Sequence, residues 1–240
     1  MRKDLYEDLY QTESNHWWHK AKRSYVVGMI GDHADKNKKT ILDVGCGTGK
    51  NMEELSSLGV VYGIDSSDEA LLFCKKRRLK NIQKGLIEKI PFEKKSLDIV
   101  CALDVLEHVD DVEAISEIYR VLKNKGILIF TVPAFSWLWS KWDEVLGHKR
   151  RYSPNMLQKL FPDDKWIIKR RTFIHSFLVL PTYLIRLIKS KSNKQYSSDF
   201  QLMNPPLNLI LSFLSHLEQM AVKRYDMPFG TSLLCVIQKK

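Results

Sequence analysis

Between residues 40 and 133, apolar runs of strand length alternate with segments of helical spacing, and this alternation constrains the fold more than any other feature. "TILDVG", "VVYGID", "SLDIVCAL" and "GILIFTV" are β-branched and apolar enough for buried strands. The intervening segments read as helices. They are "KNMEELSSL", then "SDEALLFCKKRRL" with Ser67 or Asp68 placed to cap it, then "DDVEAISEIYRVLKNKG". The last carries Val112, Ile115, Ile118, Val121 and Leu122 at helical spacing and a glycine stop. Strands separated by helices imply βαβ units and a mostly parallel sheet. Such a sheet binds ligands beyond the carboxyl ends of its strands. "KWIIKRRTF" and "SLLCVIQKK" read as two closing strands. The expected organisation is an N-terminal helical cap over 1–35, a core over 36–172, a helical insertion over 173–229, and a closing strand over 230–240. Residues 189–201, "KSKSNKQYSSDFQ", have the composition of a mobile linker within that insertion.

Composition removes several function classes. The 240 residues carry 38 basic and 28 acidic side chains, a formal net charge of +10, which favours anionic partners on approach. The basic residues are scattered over 36–39, 75–78, 149–151 and 169–171. A nucleic-acid face clusters its cations among stacking aromatics, so nucleic acid is not the expected partner. Cys46, Cys74, Cys101 and Cys235 form no CxxC pair, which argues against a zinc ribbon or a disulfide framework. The start "MRKDLYEDLYQTESN" is too polar for a secretory signal, and no apolar run reaches the ~18 residues of a spanning helix. The expected setting is the cytoplasm.

The loop "LDVGCGTG" ends the first strand. Gly45, Gly47 and Gly49 allow positive φ and a close backbone approach to a small molecule. Asp65, ending the second strand, can reach ribose hydroxyls. The spacing is not the G-x-G-x-x-G of dinucleotide binders, since Lys50 follows the third glycine. Asp43 would repel a pyrophosphate but suits a ligand carrying an ammonium and a sulfonium.

"ILDVGCGTG", "VYGIDSS", "IPFEKKSLDIVCALDVLEHV" and "RVLKNKGILIFTVP", in that order over residues 40–133, closely resemble the class I S-adenosylmethionine-dependent methyltransferases. The resemblance implies a seven-stranded Rossmann-like sheet, mostly parallel with an antiparallel last strand. It places the methionine end of S-adenosylmethionine near Asp43, Gly45, Cys46, Gly47 and Gly49. The ribose falls on Asp65, and Ser66 lies beside the adenine. Leu103, at the end of the fourth strand, joins the same cofactor set. One departure stands out. Leu86 occupies the place where the family often has an Asp for the adenine amine, so that contact falls to backbone or to Ile87. Related enzymes also close an N-terminal helix over the cofactor with a segment similar to "HWWHKAKR" (16–23), in which Arg23 would pair with the cofactor carboxylate. The alternative for these aromatics is packing against the sheet edge.

Methyl transfer from a sulfonium is an in-line displacement on an activated donor, so the protein has to align the acceptor and remove its proton. Asp104, Glu107 and His108 in "LDVLEHVDD" are candidates. D-x-x-E-H is similar to the E-x-x-E-H of ubiquinone-pathway O-methyltransferases, whose side chains hold a divalent cation. A supporting place near the cofactor is the other reading, and no metal is assigned. "GHKRRY" (147–152) follows the fifth strand and a loop with Trp137, Trp139 and Trp142. Some bacterial and archaeal methyltransferases are similar here. Trp139, Arg150, Arg151 and Tyr152 are expected to bind an acceptor with an apolar body and an anionic end, and His148 to act as general base. Charge runs are otherwise solvated surface.

The segments at 173–188 and 207–222 are too short or too interrupted to span a bilayer. They either lie in an anionic membrane interface at its inner face, flanked by Arg186, Lys189 and Lys191, or cover the sheet. The first expectation for function is an O-methyltransferase acting on a small anionic or lipid-type acceptor. An RNA methyltransferase and a non-catalytic nucleotide-binding protein are the alternatives. Oligomeric state is not readable.

Overall fold

A computed structural model describes residues 3–33, 38–189 and 204–240, so the expected linker over 189–201 lies almost wholly outside them. Helices α1 (Lys3–Thr12) and α2 (Trp17–His33) precede strand β1 (Lys39–Val44). Then follow α3 (Lys50–Leu55), β2 (Gly59–Asp65), α4 (Asp68–Lys76), β3 (Ile82–Lys84) and β4 (Leu97–Leu103). The order continues with α5 (Asp111–Val121), β5 (Leu122–Pro133), α6 (Lys141–Leu146), α7 (Pro154–Leu160) and β6 (Trp166–Ile174). Helices α8 (Val179–Lys189) and α9 (Pro205–Val222) and strand β7 (Ser232–Lys239) complete the chain.

The seven strands form one sheet in the order β3-β2-β1-β4-β5-β7-β6. β7 is antiparallel to both of its neighbours, and the other pairings are parallel. β3 is only three residues long and carries no apolar run, so the sequence pattern passes over it; its register against Gly63–Asp65 places it at the edge. The helix after β4 stops at Val121 rather than at Gly126, and the chain extends at once into β5. Alternation along β1 sends Leu42 and Val44 into one core layer and Ile41 into the other, so both faces of the sheet are covered. Ser67 caps α4 by accepting from the Ala70 amide, and Asp110 caps α5 through the amides of Val112 and Glu113.

The N-terminal helices and the segment between β6 and β7 meet over the carboxyl ends of the strands. α2 packs on α9, and the buried Glu218 of α9 ties three elements together. Its carboxylate accepts from Tyr25 Oη (2.7 Å), from the His175 amide (2.8 Å) and from the Ser176 amide (2.6 Å). His175, at φ 58°, stacks on Trp18 with ring centroids 4.1 Å apart. Burial lowers its pKa to about 3, so the ring is neutral.

Glu218→Ala leaves three buried donors without an acceptor. We expect it to reduce unfolding free energy by about 3 kcal/mol in a urea titration, more than truncation of an exposed glutamate such as Glu113.

Candidate active site

β1, β2, β4 and β5 end on one edge of the sheet, and a cavity of about 810 Å³ lies above it, roofed by α1, α2, α8 and α9. Pockets of this size hold a cofactor and a small acceptor together.

One half of the cavity is built on the glycine loop. Gly45, Gly47 and Gly49 have φ of 65°, 54° and 86°, the left-handed region that side chains other than glycine rarely enter. A Cβ on Gly45 would stand 2.6 Å from Val105, and one on Gly49 would stand 2.4 Å from Leu79. At Gly47 the nearest atom, on Leu9, is 3.9 Å away. The space over Gly47 is cradle, while the other two glycines serve tight packing. The Gly47 amide donates to Asp65 Oδ2 and the Ser67 amide to Asp65 Oδ1, both at 2.9 Å.

Three carboxyls converge here without enough positive charge. Burial raises the pKa of Glu13, Asp43 and Asp65 alike. Asp43 is pushed to about 8, by burial first and then by the charges of Asp65 and Glu13; neither of its oxygens has a hydrogen-bond partner among the described residues. Arg77 compensates only Glu13, at 2.7 Å. A cationic ligand is what such a site lacks, and S-adenosylmethionine, with its ammonium and sulfonium, fits it.

The other half is built on the turn after β4 and on residues 138–151. Asp104, at φ 57°, accepts from Thr131 Oγ1 at 2.7 Å and pairs with the ammonium of Lys22 on α2. Burial opposes its ionisation, but Lys22 and Thr131 outweigh it and hold its pKa at about 2. Glu107 is fully buried, and neither carboxyl oxygen has a partner among the described residues. Burial, then the charge of Asp104, pushes its pKa well up, which favours the protonated acid, and its side chain lines the cavity. His148 Nδ1 lies 2.9 Å from Asp143 Oδ1. A carboxylate only accepts, so Nδ1 carries the proton and Nε2 is left as an acceptor, 3.9 Å from Glu107 Oε1. Asp143 also accepts from Arg151 Nε at 2.8 Å and closes the capping box of α6 on Ser140. Burial would raise the Asp143 pKa, but His148 and Arg151 bring it to about 2.

The structure brings most of the expected residues to this cavity. Gly45, Cys46, Gly47, Asp65, Ser66, Leu86, Ile87 and Leu103 line the glycine-loop half, and Asp104, Glu107, His108, His148 and Arg151 line the other. Asp43 and Gly49 lie behind the lining. Arg23 reaches the lining, but its guanidinium is paired with Glu54 at 2.6 Å. Arg150, Tyr152 and Trp139 are not brought to the cavity. Arg150 pairs with Asp111 at 2.6 Å, and the buried Tyr152 hydroxyl bonds Asp111 at 2.8 Å, which ties α5 to the chain after β5. Both arginines of "GHKRRY" are thus neutralised by carboxylates of the chain itself. The metal grouping differs too. Glu107, His108 and His148, not Asp104, offer ligand atoms within 4.8 Å of one another among the described residues. Glu13, Lys22, Thr182, Arg186 and Leu211 also line the cavity; Lys22 belongs to "HWWHKAKR", Arg186 is one of the cations expected at a membrane interface, and packing of the roof brings the others there.

Comparison with known proteins bears on the core. Residues 42–130 match the family described as "Methyltransferase domain". The matched stretch runs from β1 into β5 and takes in the glycine loop. The chain is 38% identical over 98 residues to an uncharacterized protein of Methanocaldococcus jannaschii, covering 40% of this chain and 38% of that one. It is 30% identical over 138 residues to the ubiquinone biosynthesis O-methyltransferase of Nitrosomonas europaea, covering 49% and 57%. The matches thus span about two-fifths to three-fifths of these curated relatives. Among solved structures, a SAM-dependent methyltransferase from Archaeoglobus fulgidus superposes with a TM-score of 0.56 at 21% identity, covering 91% of this chain and 94% of that one. The geranyl diphosphate C-methyltransferase of Streptomyces coelicolor A3(2), in complex with Mg²⁺, geranyl diphosphate and S-adenosyl-L-homocysteine, gives 0.58 at 15% identity, covering 90% and 78%. These likenesses carry the fold, a Rossmann-like methyltransferase sheet.

The carboxyl cluster has a measurable signature. The folded pKa of Asp43, about 8, lies above the ~3.9 of an unfolded aspartate, so the fold is favoured by its protonated form. That contribution is complete below about pH 4 and is lost as pH rises through 8. Urea midpoints of the ligand-free protein should therefore fall between pH 4 and 8, and Asp43→Asn should flatten that slope.

Proposed function

We propose that the chain is an S-adenosylmethionine-dependent O-methyltransferase whose acceptor carries a hydroxyl on a largely apolar body. The observation that carries this reading is the Asp143–His148 pair, whose free Nε2 faces a cavity continuous with the glycine loop. Bound S-adenosylmethionine supplies an activated methyl group on a sulfonium. Asp65 would accept from the ribose hydroxyls, while Asp43 and Glu13 would balance the cofactor's positive charge. Imidazole is the side chain that most often serves as a general base. Nε2 of His148 would take the proton of the acceptor hydroxyl, the oxygen that the bound donor would methylate. Asp143 keeps the imidazole in the right tautomer and stabilises it when protonated. Glu107, when protonated, can donate to the acceptor oxygen. Leu138, Trp142 and Leu146 supply an apolar wall. Because Asp111 and Asp143 neutralise Arg150 and Arg151, an uncharged or lipid-type acceptor suits this half better than a strongly anionic one.

A second reading rests on the grouping of Glu107, His108 and His148, which would place a divalent cation at the acceptor oxygen. It predicts turnover lost on chelation and restored by Mg²⁺.

Asp65→Ala should weaken calorimetrically measured S-adenosylmethionine binding by about 1–3 kcal/mol, the cost of charge-assisted hydrogen bonds to the ribose. Equal affinity in the variant would remove Asp65 from the site.

Methyl incorporation from labelled donor, assayed separately on total lipid extract, soluble metabolites and RNA, identifies the acceptor class. On that acceptor, His148→Ala should lower kcat by about 10²–10⁴-fold, with cofactor affinity intact. Wild-type turnover in the variant would sink the assignment of the base.

A further inference from the structure

Helices α8 and α9 are built the wrong way round for a water-facing surface. On α8 and the turn before it, Leu178, Thr182 and Arg186 recur every four residues and line the cavity. On α9, Leu211 lines the cavity, and the buried Ser215, Glu218 and Val222 extend the same stripe against α2. The opposite stripes should be polar in a soluble helix. Instead Leu180 and Leu184 of α8 and Leu209, Ile210 and Phe213 of α9 are 48–72% exposed. Exposed apolar surface of this kind marks an interaction face. Charge narrows the choice of partner. Glu218 is the only acid on either helix, and it is buried, while Lys223 and Arg224 directly after α9 are exposed on a chain of net charge +10.

We propose that the outer faces of α8 and α9 dock on an anionic lipid bilayer. No helix among the described residues is long and apolar enough to cross a membrane, so the contact is interfacial: apolar side chains enter the headgroup boundary and cations meet anionic headgroups. The two helices that bear this face are also a wall of the acceptor half, so docking sets that half beside the lipid. An acceptor whose apolar tail stays in the bilayer would present its hydroxyl to His148. This last step rests on the methyltransferase reading, whereas the docking does not.

The test uses the full chain and phosphatidylcholine vesicles with or without about a third phosphatidylglycerol. The wild type should sediment with the anionic vesicles, and raising NaCl from about 0.1 M to about 0.5 M should weaken that binding. Ile210→Asp combined with Phe213→Asp should reduce partition at least ~10-fold. The melting temperature and the affinity for S-adenosylhomocysteine should be unchanged, since neither residue lines the cavity. Wild-type protein left in the supernatant, or a double variant that sediments equally well, would overturn the proposal. So would a dimer in sedimentation equilibrium that the same pair dissociates without any vesicle binding, which would put a second copy on this face. Vesicle binding in a protein that binds no S-adenosylhomocysteine would leave the docking standing and remove the methyltransferase reading.

Discussion

Parallel pairing of β1 with both β2 and β4 is the constraint from which the rest of the structure follows. Because these strands run the same way in register, Val44, Asp65 and Leu103 arrive at one edge of the sheet, and each chain must turn there before entering a helix. The turn after β1 carries three glycines at positive φ. Asp43 and Asp65, one on each side of that turn, are brought together by pairing whether or not their charges tolerate it. They are not well tolerated: burial raises the pKa of both, and the charge of Asp65 pushes Asp43 up further. The fold is stable with an unsatisfied cluster at its centre because the two core layers beneath it are closed. The cluster is where a cationic ligand would gain most.

The two halves of the cavity treat their carboxyls in opposite ways. Asp104 and Asp143 are ionised because Lys22, His148 and Arg151 reach them, while Asp43 and Glu107 have no such partner. Carboxyls whose environments push them apart in this way allow one cavity both to balance a positive charge and to move a proton. The roof that completes it is tied by the buried Glu218, through Tyr25 and the backbone at His175 and Ser176, and by Asn208 and Gln219 of α9, which bond Trp17 and Ser24. The cap and the insertion are therefore mechanically one piece, although they lie at opposite ends of the chain.

The core was legible because its signals are local. Strand-length apolar runs, helical spacing and a glycine triplet specify β1, β2, β4, β5 and the ligand edge without long-range information. β3 was not legible, since three residues with one apolar side chain leave no periodicity to read. "GHKRRY" shows the limit within a single motif. His148 is turned to the cavity, but Arg150 and Tyr152 are turned to Asp111, and no spacing rule separates one from the others.

The sequence by itself determined the class of fold, the end of the sheet where ligands bind, and the glycine and aspartate residues around the first turn. These depend on backbone conformations and side-chain periodicities that a few neighbouring residues dictate. Tertiary structure alone decided which charges are compensated. Lys22 reaches Asp104 across 82 positions of sequence, and Asp143 intercepts both His148 and Arg151 before any ligand does. Whether a buried carboxyl is an acid, a counter-ion or an acceptor depends on what stands within about 4 Å of it, and a linear chain does not state that distance.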